Sequence, residues 1–260
     1  MKSFFHGLKN AKFFLLLIII PFCLSLFWFR NGYVMGGGES GLPFFDLNRQ
    51  FEILKYTWTD IGLGNSYGVL VGATPLFKFL SWVSSFGIQG FKIELFFLFL
   101  MFVIAGISVW FLTKEIFPDL DDKYLFLSSA FYWFNPISLV TIWNRFLYNS
   151  MVFWAFLPLA LFLFLRGIKR HDFKYALLVA ISSAIFAYAL TSVVFIMLLW
   201  GLFIYVLFFH LIFEAEGKFF KVLYTLLTFV GFITFNFWWI AQFFVFIFSS
   251  NYDSATSVFF

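Results

Sequence analysis

The chain has 260 residues, of which 63% are hydrophobic and 12% charged, and carries a formal net charge of +4. So apolar a composition reads as membrane protein, and the small, scattered positive charge excludes a nucleic-acid-binding surface. A single cysteine, Cys23, excludes both a disulfide framework and a metal–thiolate cluster.

The chain opens with Lys2, Lys9 and Lys12, followed by an apolar run from Phe13 to Phe29. The run is longer than a signal-peptide core and no Ala-x-Ala site follows it, so it is read as an uncleaved membrane helix. Cys23 lies within it and is expected to be a small buried hydrophobe.

From Arg30 to Gly68 the sequence turns polar, glycine-rich and aromatic, and holds four of the thirteen carboxylates. Any chemistry is expected there. Glu39 follows Gly36, Gly37 and Gly38, and Asp46 follows Pro43-Phe44-Phe45. Glycines let a backbone turn sharply beside a substrate, and a carboxylate at the membrane–water boundary can deprotonate a hydroxyl or help hold a divalent cation against a phosphate. The plainer reading makes both of them solvated loop acids or helix caps, with Asp46 capping a helix over Leu47 to Tyr56. Arg49, Lys55 and, further on, Arg145 are cations that can neutralise a phosphate or simply snorkel to headgroups. Trp58, with Tyr56 and Tyr67, can stack on a sugar face or form part of an interfacial aromatic belt.

Between Val69 and Gly90 the apolar pattern is interrupted by Gly72, Pro75, Lys78 and several serines, which predicts a segment lying along or dipping into the outer leaflet. Further spans are predicted at Phe91 to Leu112, Tyr124 to Ile142, Met151 to Leu165, Tyr175 to Leu190, Val193 to Phe213 and Val222 to Phe248. The expected fold is thus an all-α polytopic membrane bundle of about seven helices. It forms a single transmembrane domain over residues 1–260, with a large first outer loop (30–90) that contains interfacial helices. With the N-terminus in the cytoplasm, eleven basic residues fall inside and six outside. That bias, strongest in the Arg166 to Lys174 turn, places the 30–90 loop outside an expected plasma membrane. No repeat is visible, and the end at Val258-Phe259-Phe260 directly after a span suggests the front part of a longer protein.

Polar residues inside spans are few. Asn135-Pro136 predicts a kink, Asn236 is expected to face the bundle interior, and His210 is expected at the interface beside Glu214 and Glu216. Glu94, early in the second span, is placed near the outer surface, where it can contact Lys92 or join the site, and the surface reading is preferred. No zinc-protease, P-loop or nucleophile-elbow motif occurs.

Taken in order, the first span, Gly38-Glu39, Asp46, Tyr56-Thr57-Trp58-Thr59-Asp60-Ile61-Gly62-Leu63-Gly64 and the broken stretch after Pro75 resemble the N-terminal region of GT-C superfamily membrane glycosyltransferases. The nearest likeness is to the arabinofuranosyltransferase type that acts on mycobacterial cell-wall arabinan. The resemblance covers Gly32 to Leu112, and Phe134-Asn135-Pro136 and Leu157-Pro158-Leu159 look like later segments of the same families. It implies transfer of a sugar from a polyprenyl-phosphate donor to a cell-envelope glycan or glycolipid at the outer face, in contact with membrane lipid. It also implies an acid of the first outer loop as catalytic base or as partner of a divalent cation, Mg or Mn. The family's Gly-Asp falls on Gly38-Glu39, one methylene longer, so Glu39 is the first candidate and Asp46 the second. Two other classes compete: a transporter or lipid flippase with the loop as lid, and a catalytically silent membrane scaffold.

Overall fold

The computed structural model describes residues 2–36, 42–56, 58–59, 65–66, 68–214 and 216–257. The elements are α1 (Lys2–Trp28), α2 (Leu47–Leu54), a two-residue antiparallel pair β1 (Trp58–Thr59) and β2 (Asn65–Ser66), a 3-10 turn (Gly68–Ala73), α3 (Thr74–Ser84), α4 (Gly90–Ile116), α5 (Asp122–Phe134) and α6 (Pro136–Ser138). A π-helical turn (Leu139–Asn144), α7 (Tyr148–Arg170), α8 (Lys174–Ile185), a second 3-10 turn (Ala187–Thr191), α9 (Val193–Phe213) and α10 (Lys218–Ser257) complete them. Among the described residues the regular structure is helical apart from that short ladder, in which Trp58 is paired with Ser66 and Thr59 with Asn65.

Among the described residues, four helices are long and apolar enough to cross a membrane: α4, α7, α9 and the Lys218–Gln242 part of α10. This supports the reading as an integral membrane protein. Two expected spans are shorter than predicted, since α5 stops at Phe134 and α8 at Ile185, while the apolar part of α1, Lys12–Trp28, is as long as the predicted Phe13 to Phe29 run. The break after α5 has a local cause. Proline forces the residue before it out of the helical region, and Asn135 is extended (φ −68°, ψ 158°), ending α5 and capping α6 through its Oδ1 on the Ser138 amide at 3.0 Å.

The core is built on α4 and α7, which pack along each other. α1 lays a stripe of every fourth residue, Leu17, Pro21, Ser25 and Phe29, toward the bundle, the spacing of one helical face. Cys23 lies off that stripe and is exposed, contrary to the expected burial. α5 approaches α4 closely because position 106 has no side chain. A Cβ on Gly106 would fall 2.3 Å from Trp133 Cζ2, while the Trp133 indole, fully buried, donates to the Phe102 carbonyl at 3.0 Å. Small residues at helix crossings are how membrane helices gain contact without a hydrophobic driving force. Gly106→Val should therefore cost roughly 1–3 kcal/mol of stability. The check is a thermal unfolding midpoint in detergent below that of the parent.

Lateral packing deeper in the bundle is polar as well as aromatic. Asn236 is fully buried in α10, donates to Ser183 Oγ at 2.7 Å and accepts from the Trp239 indole at 2.8 Å, so it faces the interior as expected. The 69–90 stretch packs one of its sides on the bundle. The first 3-10 turn packs on α10 and on the 187–191 turn, with Gly72 against the Ala187 carbonyl, and α3 buries Phe77 and Leu80. Only the other side of α3, with Phe79 and Trp82, is left exposed.

The helix ends define two faces. One carries the basic turns: Lys169 donates to the Glu115 carbonyl, Arg166 pairs with Glu115, and His171 packs on Phe220. The opposite face carries the loop after α1 and the start of α7.

Candidate functional site: the anchored loop and the side cavity

On the face opposite the basic turns, the chain leaving α1 reverses at Gly32, whose φ of +70° lies in the region glycine adopts without strain. It then runs back over the ends of α4 and α7. The Met35 amide donates to Glu94 Oε2 at 2.9 Å, the Tyr148 hydroxyl meets Glu94 Oε1 at 2.6 Å, and the same hydroxyl contacts the Met35 carbonyl oxygen. Both Glu94 and Tyr148 are fully buried. Glu94 is thus not the surface residue expected from its place at the end of a span. A carboxylate at this depth is tolerated because each of its oxygens has a hydrogen-bond partner.

Nine residues on, Phe44 is buried against the same group, with ring centroids 5.0 Å from Tyr148 and 5.4 Å from Phe97. Gly90 makes room for it, since a Cβ there would fall 2.1 Å from the Phe44 carbonyl oxygen. Met35 and Phe44 thus fix both flanks of the 37–41 segment to Tyr148. Gly90→Ala should push the Phe44 turn off α4; faster protease cleavage near Phe45, with the bundle's helicity unchanged, is the expected readout.

Glu39 lies outside the described residues. Asp46 is exposed and caps α2, its Oδ1 accepting the Arg49 amide at 2.9 Å. α2 and α3 are then tied together, Ser81 Oγ donating to Asn48 Oδ1 at 2.6 Å and Thr74 Oγ1 to the Leu54 carbonyl at 2.8 Å. Arg49 and Arg145 are exposed. Lys55 is paired with Glu52, whose hydrogen bond raises the ammonium above its ordinary pKa, and lies over the Tyr56 ring. A phosphate at Lys55 would compete with Glu52. The backbone of Trp58 sits in the short ladder; its side chain and Tyr67 lie outside the described residues.

Beside this loop anchor, a cavity of about 430 Å³ opens between α5–α6, the first turns of α7 and α9. Its walls include the stacked pairs Tyr132–Trp154 (5.1 Å, 11°) and Phe153–Phe195 (4.3 Å, 5°). Ile137 and Leu198, both exposed, stand at its rim. Its polar groups are internally satisfied. Asn135 Nδ2 donates to Ser138 Oγ at 2.9 Å, the Trp154 indole donates to the same oxygen at 2.9 Å, and the Tyr132 hydroxyl donates to the Trp154 carbonyl at 2.8 Å. A cavity with aromatic walls, an apolar rim and no unpaired polar group suits an apolar chain better than a hydrated ligand.

The part of this geometry that sequence reasoning missed is the pairing of Glu94 with Tyr148. The signal was there, a lone carboxylate inside an apolar run, which by itself argues for an inward-facing role. Among the described residues no group of three His, Cys, Asp or Glu side chains gathers as a metal site. Compared with protein-family models, with curated proteins and with solved structures, the chain matches none.

Proposed function

We propose that the chain is a GT-C-like membrane glycosyltransferase, or the membrane part of one, which transfers a sugar from a polyprenyl-phosphate donor to a cell-envelope glycan or glycolipid. The observation that supports this most is the apolar side cavity next to the anchored first loop, at the face opposite the basic turns. An isoprenoid tail needs an apolar slot reachable from the bilayer; its phosphate and sugar must sit at the boundary where a loop acid can work. The loop anchor at Tyr148 and the cavity wall at Ser150 belong to the same first turn of α7, which supports this reading.

In this reading Glu39 is the base and Asp46 the second candidate. The acceptor hydroxyl gives its proton to the carboxylate as its oxygen bonds to the anomeric carbon. The carbon–oxygen bond to phosphate breaks, and the electron pair leaves on the polyprenyl phosphate. Arg49 and Arg145 are the cations proposed to face the phosphate, Lys55 contributes only if Glu52 releases it, and Trp58 is proposed to stack on a sugar. The described residues alone gather no group of three His, Cys, Asp or Glu side chains as a cation site.

The test is turnover of a polyprenyl-phosphate sugar by the purified protein and by its Glu39→Gln and Asp46→Asn variants. Undiminished turnover in both removes the mechanism. A transporter or flippase draws support from the helix break at Asn135-Pro136 beside the cavity. It predicts movement of an intact labelled lipid across liposomes without sugar transfer.

A further inference from the structure

On the basic face a second pocket, of about 470 Å³, opens between the ends of α4, α7 and α9. It plays no part in the proposed transfer chemistry, which lies at the other end of the bundle. Its lining is mostly apolar, with Ile116, Leu165, Val206 and Phe209, and includes the polar side chains of Lys169, His210 and Glu214.

Among the described residues two ammonium groups, Lys169 and Lys221, stand against the one carboxylate that lines it, Glu214, and that carboxylate is taken: Lys221, itself 1% exposed, donates to Oε2 at 2.7 Å and to the His210 carbonyl at 3.2 Å. Hydrogen bonding from Lys221 holds the Glu214 carboxyl below its ordinary pKa range. His210 is 4% exposed, and its Nδ1 lies 2.8 Å from Glu214 Oε1 but outside hydrogen-bond geometry, a buried nitrogen without a hydrogen bond. Among the described residues, the Lys169 ammonium donates to the Glu115 backbone carbonyl at 2.5 Å, while the Glu115 carboxylate is 3.7 Å from Arg166. The Lys221 ammonium thus takes the Glu214 carboxylate, and the Lys169 ammonium is paired with no carboxylate among the described residues.

We propose that this pocket binds the phosphate headgroup of an anionic phospholipid, Lys169 and His210 meeting the phosphate and the apolar wall holding the first part of an acyl chain. Charge complementarity calls for an anion. The wall calls for one that carries a hydrocarbon chain, because Tyr205 and Phe209 at its edge are 66% and 47% exposed on the outer side of α9, the surface that meets lipid. A lysine beside an apolar slot at the membrane boundary is how headgroups are held in place. The site does not depend on the glycosyltransferase reading.

The test uses the full chain in neutral detergent, titrated with phosphatidylglycerol, with phosphatidylcholine or with soluble glycerol 3-phosphate, and followed by thermal unfolding and by native mass spectrometry. Phosphatidylglycerol alone is expected to raise the unfolding midpoint saturably and to give a single retained adduct. Lys169→Gln should weaken that binding about tenfold, the loss of one charge-assisted contact. Val206→Trp, which fills the slot, should abolish it. Lys123→Gln, an exposed basic-face lysine paired with Asp121, should leave it unchanged. Equal responses to phosphatidylcholine or to glycerol 3-phosphate would overturn the proposal. So would an adduct retained in both Lys169→Gln and Val206→Trp, or an equal loss in Lys123→Gln, which would mean diffuse attraction to a basic face.

Discussion

Glu39→Gln is expected to lower sugar transfer by about 10²- to 10⁴-fold, the usual contribution of a positioned general base. Glutamine keeps the length and the hydrogen-bonding oxygen of glutamate but cannot accept the acceptor's proton at neutral pH, so the loss should appear in kcat with KM for the donor little changed. Asp46→Asn gives the contrast. Asp46 is occupied in the structure as the N-cap of α2, its Oδ1 on the Arg49 amide, and asparagine caps nearly as well. Asp46→Asn should therefore leave both folding and turnover close to the parent. Asp46→Ala should cost about 1 kcal/mol through the lost cap without a matching fall in turnover per folded molecule. A collapse of turnover in Asp46→Asn with Glu39→Gln unaffected would move the base to Asp46.

How much of this was legible beforehand depends on how local the signal is. α4, α7 and α9 could be read because each is a long apolar run, and the break at Asn135-Pro136 because proline acts on its immediate neighbour, though as a kink within a span reaching Ile142 rather than as the end of α5 at Phe134. The Asp46 cap was equally local, as one of two readings. The clasp of Glu94 was not. Its partners, Met35 and Tyr148, are 59 and 54 residues away in sequence, and nothing in a single apolar run says which of its turns will meet a loop from elsewhere. The same holds for the stretch after Gly68. Its broken apolar pattern correctly argued against a plain spanning helix, but the pattern does not reveal that α10 and the 187–191 turn cover one side of it. Cys23 failed for the converse reason. An apolar helix in lipid can expose any of its faces, so hydrophobicity stops predicting burial, and only the every-fourth-residue stripe of Leu17, Pro21, Ser25 and Phe29 marks the inner side.

Glu94→Ala should uncouple the first loop from the bundle, whereas Glu94→Gln should hardly disturb it. The reason is proton counting. The Tyr148 hydroxyl has one proton and faces two acceptors, the Met35 carbonyl and Glu94 Oε1, while the Met35 amide donates to Glu94 Oε2. A glutamine at 94 satisfies all of these: its amide N–H donates to the Tyr148 oxygen, freeing the phenol proton for the Met35 carbonyl, and its own carbonyl accepts from the Met35 amide. Alanine leaves the Met35 amide unpaired in a buried place and adds a void, while the Tyr148 hydroxyl keeps only the Met35 carbonyl as acceptor. That combination costs roughly 2–4 kcal/mol. The loss is spent where the Met35 side of the loop meets the bundle, while Phe44 still stacks on Phe97 and Tyr148, so the bundle itself should stay folded. Hydrogen exchange at 33–36 is expected to quicken sharply in Glu94→Ala and to match the parent in Glu94→Gln. Transfer activity, where Glu39 is the base, should fall with the former and survive the latter, because a base four residues from Met35 loses its placement when that anchor opens. Fast exchange in both variants would mean that the charge of Glu94, rather than its two oxygens as hydrogen-bond partners, holds the loop.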